Sequence, residues 1–304
     1  MRLFKDANYN FVSNRKIAYV LSGLLLTISI ISFATRGFEL GVDFEGGMEI
    51  VLEDVEEVSA VELRTELIEP LGAEPEVRTF GETGLIVRTA GEGETAEIQQ
   101  TIIGTIQDLY PDTEPTIEMT EVVGPSFAAD LQRGAIYSIL GALFVVFVYI
   151  MVRFEWRFSL GALAALVHDV TITLGVFSLF AGIAPFSLQL DQAIVAAFLT
   201  IVGYSLNDTV VVFDRIREFE NLFKTEEYNN IVDRGINATL SRTVVTSVTT
   251  LIVVTVLFIF GGEVLRAFSF ALIFGVCIGT YSSIFVASQT VVELKHYIKR
   301  QPAS

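Results

Sequence analysis

Four residues able to carry ion chemistry stand within or at the edge of long apolar runs: Asp208, Arg242 and the adjacent His168 and Asp169. A carboxylate in lipid costs about 2.5–3.5 kcal/mol on translocon scales, so it normally faces a partner or a hydrated cavity and marks an ion or proton path. Asp208 lies in Gly-Tyr-Ser-Leu-Asn-Asp-Thr-Val-Val-Val-Phe-Asp-Arg-Ile-Arg, residues 203–217, which begins apolar and ends charged. Arginine stays protonated, with a pKa above about 12. A carboxylate can load and unload, because burial and neighbouring cations pull its proton affinity in opposite directions. Moving Arg242 toward or away from Asp208 would therefore switch proton binding, a minimal coupling device. At helical spacing Tyr204 and Ser205 share the side of Asp208, with Asn207 next to it, and Thr246 and Thr249 continue the face of Arg242. Simpler readings stand beside this one. Arg242 would serve as a charge anchor at the membrane edge, Asp208 as a packing residue satisfied by Asn207 and threonines, and Asp169 with His168 as a structural hydrogen bond.

Positioning such residues needs a membrane bundle. The 304 residues are 52% hydrophobic, with a mean hydropathy of +0.56, yet 18% are charged. The chain is too apolar for a soluble globule and too charged to be membrane throughout. Apolar runs at about 17–34, 135–152, 158–180, 193–213, 243–260 and 267–290 predict six spans. The first follows the bases Arg2, Lys5, Arg15 and Lys16, and its eighteen residues suit an uncleaved span better than a signal peptide. Arg153 and Arg157, then Arg215, Arg217, Lys224, Arg234 and Arg242, then Lys295, Lys299 and Arg300, fall in alternate loops. The opposite loops hold mainly Asp191 and Glu263, with Arg266 the basic exception. The positive-inside rule then places both termini in the cytoplasm. Residues 226–240 are expected to form a short helix lying at the cytoplasmic surface.

Acidity is confined to one segment. Residues 36–132 hold 23 Asp/Glu against 4 Lys/Arg, so this module faces water and nucleic acid is not an expected partner. It opens on Gly41-Val42-Asp43-Phe44-Glu45-Gly46-Gly47, where Gly41, Gly46 and Gly47 mark a special backbone, or merely a linker. Strands at 48–52, 76–80, 85–89 and 116–122 and helices at 59–71 and 95–110 follow. Ser59 stands as N-cap with Glu62 at the capping-box position, and Pro111 stops the second helix. The order βαββαβ is that of a ferredoxin-like α+β domain. One cysteine, Cys277, and two histidines offer neither a disulfide framework nor a metal site. Gly134, Gly141, Gly161, Gly175, Gly275 and Gly279 read as helix-packing residues, and the hydroxyls of 243–250 as interhelical glue.

The glycine-rich motif after the first span, Val123-Gly124-Pro125 before the second, Ser205 to Glu218 on the fourth, and Thr239-Leu240-Ser241-Arg242-Thr243 with Thr246-Ser247 on the fifth together resemble the SecD/SecF family, on its SecF side, within the RND superfamily. The resemblance covers residues 15–290 in order. It implies an α-helical membrane protein of six transmembrane helices in an RND-type bundle, with the exported ferredoxin-like domain between helices 1 and 2. It implies SecD as partner, association with the SecYEG channel, an unfolded translocating polypeptide as substrate, and bacterial inner-membrane localisation. It also implies that the proton gradient, or sodium, drives late, ATP-independent translocation. Asp208 matches the family's fourth-span carboxylate, Arg242 its fifth-span arginine, and Asp169 its third-span His-Asp.

The expected layout is an N-terminus and first helix over 1–36, an exported domain over 37–132, helices 2–6 over 133–292 and a cytoplasmic tail over 293–304. No enzymatic activity, metal or cofactor is expected beyond the coupling ion, and no Gly-x-x-x-x-Gly-Lys-Ser/Thr loop is present. Three other readings compete. A small-molecule or lipid exporter subunit of the same superfamily would usually have larger exported domains. An intramembrane aspartyl protease using Asp169 and Asp208 would carry Tyr-Asp and Gly-x-Gly-Asp patterns, which are absent. A purely structural assembly subunit predicts that Asp208→Asn is harmless.

Overall fold

The computed structural model describes residues 7–81, 83–90 and 93–300, without the side chains of 263, 264, 299 and 300. Arg2 and Lys5 of the basic start, Glu82 in the hairpin turn, and the side chains of Glu263, Lys299 and Arg300 lie outside the described residues. Two compact units emerge: residues 39–136 with 181–192, and residues 1–38, 137–180 and 193–304.

In the first of these, α2 (Val42–Glu45) is a single turn, followed by β1 (Gly47–Glu53), α3 (Ala60–Leu71), β2 (Glu76–Phe80), β3 (Gly84–Thr89), α4 (Thr95–Leu109) and β4 (Thr116–Val123). The sheet is antiparallel throughout, in the order β2-β3-β1-β4, which is the ferredoxin-like arrangement. Leu63 and Leu67 of α3, and Ile98, Ile102 and Ile106 of α4, recur at intervals of four. They therefore form one stripe per helix, buried against Ile50, Leu52, Leu85 and Val87. Each such side chain contributes about 1.5–3 kcal/mol by leaving water. The Ser59 side chain caps α3 by accepting from the Glu62 N–H at 3.5 Å. The return arm of the expected capping box runs through Tyr110 instead: its hydroxyl accepts from the Ser59 N–H at 3.2 Å and donates to Glu62 Oε2 at 2.6 Å.

The helical unit contains α1 (Arg15–Arg36), α6 (Trp156–Phe180), α7 (Gln192–Leu222), α8 (Tyr228–Phe260), α9 (Gly262–Ser282) and α10 (Ser288–Arg300). A π-helical turn, Ser283–Ala287, joins the last two. α5 (Pro125–Arg153) passes from the sheet unit into this one at Tyr137. Among the described residues six segments are long and apolar enough to span a membrane, the sixth running unbroken over Leu265–Ile298. Small residues set the packing. Ser32 Oγ and Ser178 Oγ lie 2.8 Å apart between α1 and α6, and a Cβ at Gly175 would collide with Ser29. A Cβ at Gly161 would lie 2.8 Å from the Ala287 carbonyl, and one at Gly279 3.1 Å from Ser205 Cβ. Phe154, Phe158 and Phe213 fill the core with Val212, Ile216, Val232 and Ile236.

One expectation fails here. Residues 226–240 do not form a separate surface helix. Ile231, Val232, Ile236 and Leu240 are buried, and that apolar face continues into the span, so one helix runs from Tyr228 to Phe260. Its first turns carry the N-terminal segment. Asp233 accepts from the Val12 N–H at 2.8 Å, and Asn237 exchanges hydrogen bonds with the Tyr9 N–H and carbonyl at 2.9 and 2.8 Å. At Gly134 and Gly141 nothing among the described residues of this chain lies within 4 Å of a Cβ, since α5 is the least buried of the spans.

Candidate functional site

Asp169 is 1% exposed and is bonded on both carboxylate oxygens. Oδ2 accepts from Ser205 Oγ of α7 at 2.6 Å and from Ser282 Oγ of α9 at 2.7 Å. Oδ1 lies 2.9 Å from His168 Nδ1. The imidazole extends the network to α1, where Nε2 is 3.1 Å from Ser22 Oγ. Ser22 Oγ is in turn 3.0 Å from the Tyr281 hydroxyl, which donates to the Ala18 carbonyl at 2.9 Å. Four helices thus meet on one buried pair. Ser282 immediately precedes the π turn, whose Ser283 and Ile284 carbonyls accept from Ser288 Oγ and Gln289 Nε2, five residues further on, at 2.9 and 3.4 Å. Such one-residue insertions recur at functional positions, because they re-aim the side chains on either side.

Asp208 is placed differently. It is 2% exposed on α7, one turn beyond Ser205, and its Oδ2 has no hydrogen-bond partner among the described residues. The hydroxyls of Thr209 and Thr243 beside this region are likewise buried and unpaired. Arg242 is exposed, and its charge acts on Asp208, but no salt bridge within 4.0 Å joins the two among the described residues. An unpaired buried carboxylate oxygen is a costly arrangement, and it is relieved by a proton or a bound cation.

The supporting residues scatter. Tyr204 donates to Ser247 Oγ at 3.3 Å, and Ser247 Oγ lies 2.7 Å from Thr280 Oγ1, a chain from α7 through α8 to α9. Thr246 and Thr249 turn their hydroxyls to their own backbone, toward the Arg242 and Val245 carbonyls at 3.0 and 2.9 Å. Asn207 is exposed. Sequence reasoning missed Ser22, Tyr281 and Ser282, and counted Ser205 only as sharing a face. Small hydroxyl residues in spans read as packing, and the one available signal was the polar run Tyr281-Ser282-Ser283 within an apolar stretch.

Gly41 and Asp43 hold the segment 181–192 within the sheet unit, while Gly46 and Gly47 fit tightly against the backbone of Val123, Pro125 and Thr89. Leu40 and Leu190 form a parallel bridge, with Gly41 N–H donating to the Leu190 carbonyl at 2.7 Å and Leu190 N–H to the Glu39 carbonyl at 2.8 Å. A Cβ at Gly41 would stand 3.1 Å from that Leu190 oxygen. Asp43 accepts from the Gln192 N–H, the first of α7, at 2.9 Å. Gly46 and Gly47 have φ of 79° and 114°, where a side chain is strained, and a Cβ at Gly47 would come within 2.8 Å of the Thr89 carbonyl. Arg88, 9% exposed, joins the parts: it donates to the Leu40 carbonyl at 2.8 Å, to Gln189 Oε1 at 3.2 Å and to Glu45 at 3.3 Å. Burial holds Glu49 above the usual carboxylate range against the pull of Arg88. Glu121 is raised by burial first, then by Asp43 and Asp191.

Residues 105–297 match the model of the "Protein export membrane protein SecD/SecF, C-terminal" family, and residues 31–53 match the SecD/SecF GG motif. The chain is 61% identical over 295 residues to the protein translocase subunit SecF of Rhodothermus marinus, covering 97% of this chain and 96% of that one. It is 40% identical to SecF of Haemophilus influenzae, over 91% and 83% of the two chains. The crystal structure of SecDF, a translocon-associated membrane protein from Thermus thermophilus, superposes with a TM-score of 0.85 at 34% identity. That match takes in 97% of this chain and spans only 40% of the length of that one.

Proposed function

Since the chain belongs to the SecF side of the SecD/SecF family of protein export membrane proteins, we propose that it is an ion-gradient-driven motor subunit of Sec protein export, working with SecD beside the SecYEG channel. In this reading it is a multi-pass protein of the bacterial inner membrane with cytoplasmic termini and an exported sheet unit that handles the emerging polypeptide. The observation that carries it is Asp208, buried in a span with one oxygen unpaired while the nearby Arg242 forms no salt bridge with it. A proton taken up there neutralises the carboxylate, and release follows when Arg242 closes on it. Asp169 belongs to the same coupling set, linked to α7 through Ser205. A proton crossing 100 mV releases about 2.3 kcal/mol, so a few per cycle suffice for a domain movement without nucleotide.

The test is export of a pulse-labelled precursor in membrane vesicles supplied with ATP and an imposed ion gradient, using the native chain, Asp208→Asn and Arg242→Met at matched levels. Both variants are expected to assemble with SecD and to lose only the gradient-dependent late phase. Unchanged late export in both would leave the two residues a structural role.

A further inference from the structure

The contacts of His168 can be counted in protons. From its Nε2 outward run three contacts in series: Nε2 to Ser22 Oγ at 3.1 Å, Ser22 Oγ to the Tyr281 hydroxyl at 3.0 Å, and the Tyr281 hydroxyl to the Ala18 carbonyl at 2.9 Å. Three hydrogen bonds need three hydrogens, and each hydroxyl brings one. The Ala18 carbonyl only accepts, so Tyr281 gives its hydrogen there. Ser22 then gives its own to Tyr281, and the third must sit on Nε2. On the other side of the ring, Nδ1 and Asp169 Oδ1 share one more proton at 2.9 Å, while Oδ2 is occupied by Ser205 and Ser282.

We propose that the His168–Asp169 pair is a second proton-binding site of the bundle, loaded in this structure with two protons: one on Nε2 and one between Nδ1 and Oδ1. The loaded pair is neutral overall, which suits a site where both residues are at most 4% exposed. When the Nε2 proton passes to water, the pair carries one negative charge. Ser22 must then turn its hydrogen to Nε2, and the Tyr281 hydroxyl has one hydrogen for two acceptors on α1, Ser22 Oγ and the Ala18 carbonyl. One proton therefore decides whether Tyr281 of α9 holds two hydrogen-bonded contacts on α1 or one, and Ser205 links the same pair to the helix of Asp208.

No other charge competes at the pair. Among the described residues, α1 has no charged residue between Lys16 and Arg36 and the π turn has none, while Glu263 and Arg266 of α9 belong to the end of that helix opposite Ser282 and Tyr281. On α7 the neighbouring charge is Asp208, three residues from Ser205. The charges of α10 with recorded partners are engaged elsewhere, Glu293 with Arg15 and Lys295 with Glu220.

The site deepens the ion-coupling reading and rests on it for its purpose, but its proton count can be measured apart from export. The chain has two histidines, so His296→Gln leaves His168 as the sole imidazole. The full-length variant, labelled with ¹⁵N-histidine in lipid bilayers, would be examined by solid-state ¹⁵N–¹H correlation at neutral pH. A directly bonded hydrogen on Nε2 is expected; a bare Nε2 with the hydrogen on Nδ1 alone would overturn the proposal. Export that is indifferent to Asp208→Asn would remove the motor reading while leaving this proton count standing.

Discussion

At the scale of single residues, two buried carboxylates on neighbouring helices differ in how they are satisfied. Asp169 accepts on both oxygens, whereas Asp208 leaves Oδ2 unpaired. Removing a donor from the first should therefore cost folding energy, since a buried acceptor left short of a partner costs about 1–3 kcal/mol. Ser205→Ala is expected to lower stability by about that amount, read as a reduced midpoint in denaturant unfolding from lipid or detergent. Asp208→Asn should instead leave the midpoint unchanged or raised. Both carboxylates were legible in the sequence, because an acid within an apolar run stands out. The partners of Asp169 were not: a serine in a span is as common at a packing contact as at a carboxylate, and only the rotation of each helix decides which it meets. The same limit governed the glycines, where helical spacing located Gly175 and Gly141 equally well but not what lies opposite them.

Among the elements, strands and spans followed from periodicity, and the order of the sheet followed from βαββαβ. The first half of α8 misled because its charged residues, Asp233 and Arg234 among them, suggested a surface helix. Val232, Ile236 and Leu240 nevertheless make a face buried in the same core as Ile216 and Phe213. The π turn could not be read, since one inserted residue changes no composition. Helix packing supplies a paired test. Gly175→Leu forces a side chain into Ser29 of α1, and overpacking of this kind costs about 1–3 kcal/mol. Gly141→Leu on the open face of α5 should leave thermal unfolding of the isolated chain unaltered. In the loop 181–192, Arg88→Met should break the link to Gln189 and Leu40 and speed amide exchange at Gly41 and Leu190, with little change in the β1–β3 ladder.

At the scale of the whole molecule, the acidic balance of residues 36–132 has a local focus around Asp43, Glu49, Glu121 and Asp191. Glu49 and Glu121 bind protons more tightly folded than unfolded, so their contribution to stability is fully present below the unfolded carboxylate pKa of about 4.3 and is lost as pH rises through the raised value. Amide protection at Gly41 and Leu190, corrected for intrinsic exchange, should thus fall from mildly acid to neutral pH. Glu121→Gln should flatten that profile. The bridge between Leu40 and Leu190 also has a meaning for biosynthesis. Its two sides are separated by four strands and two complete spans, and chains are made at about 5–20 residues per second from the N-terminus. The sheet unit therefore waits many seconds for its last segment, with the glycine motif uncovered in the meantime, and it closes only after the hairpin of α5 and α6 has been threaded through the membrane and back. Quality control acting on this protein has a natural checkpoint there: a chain whose third span is misinserted can complete its sheet but never its clasp.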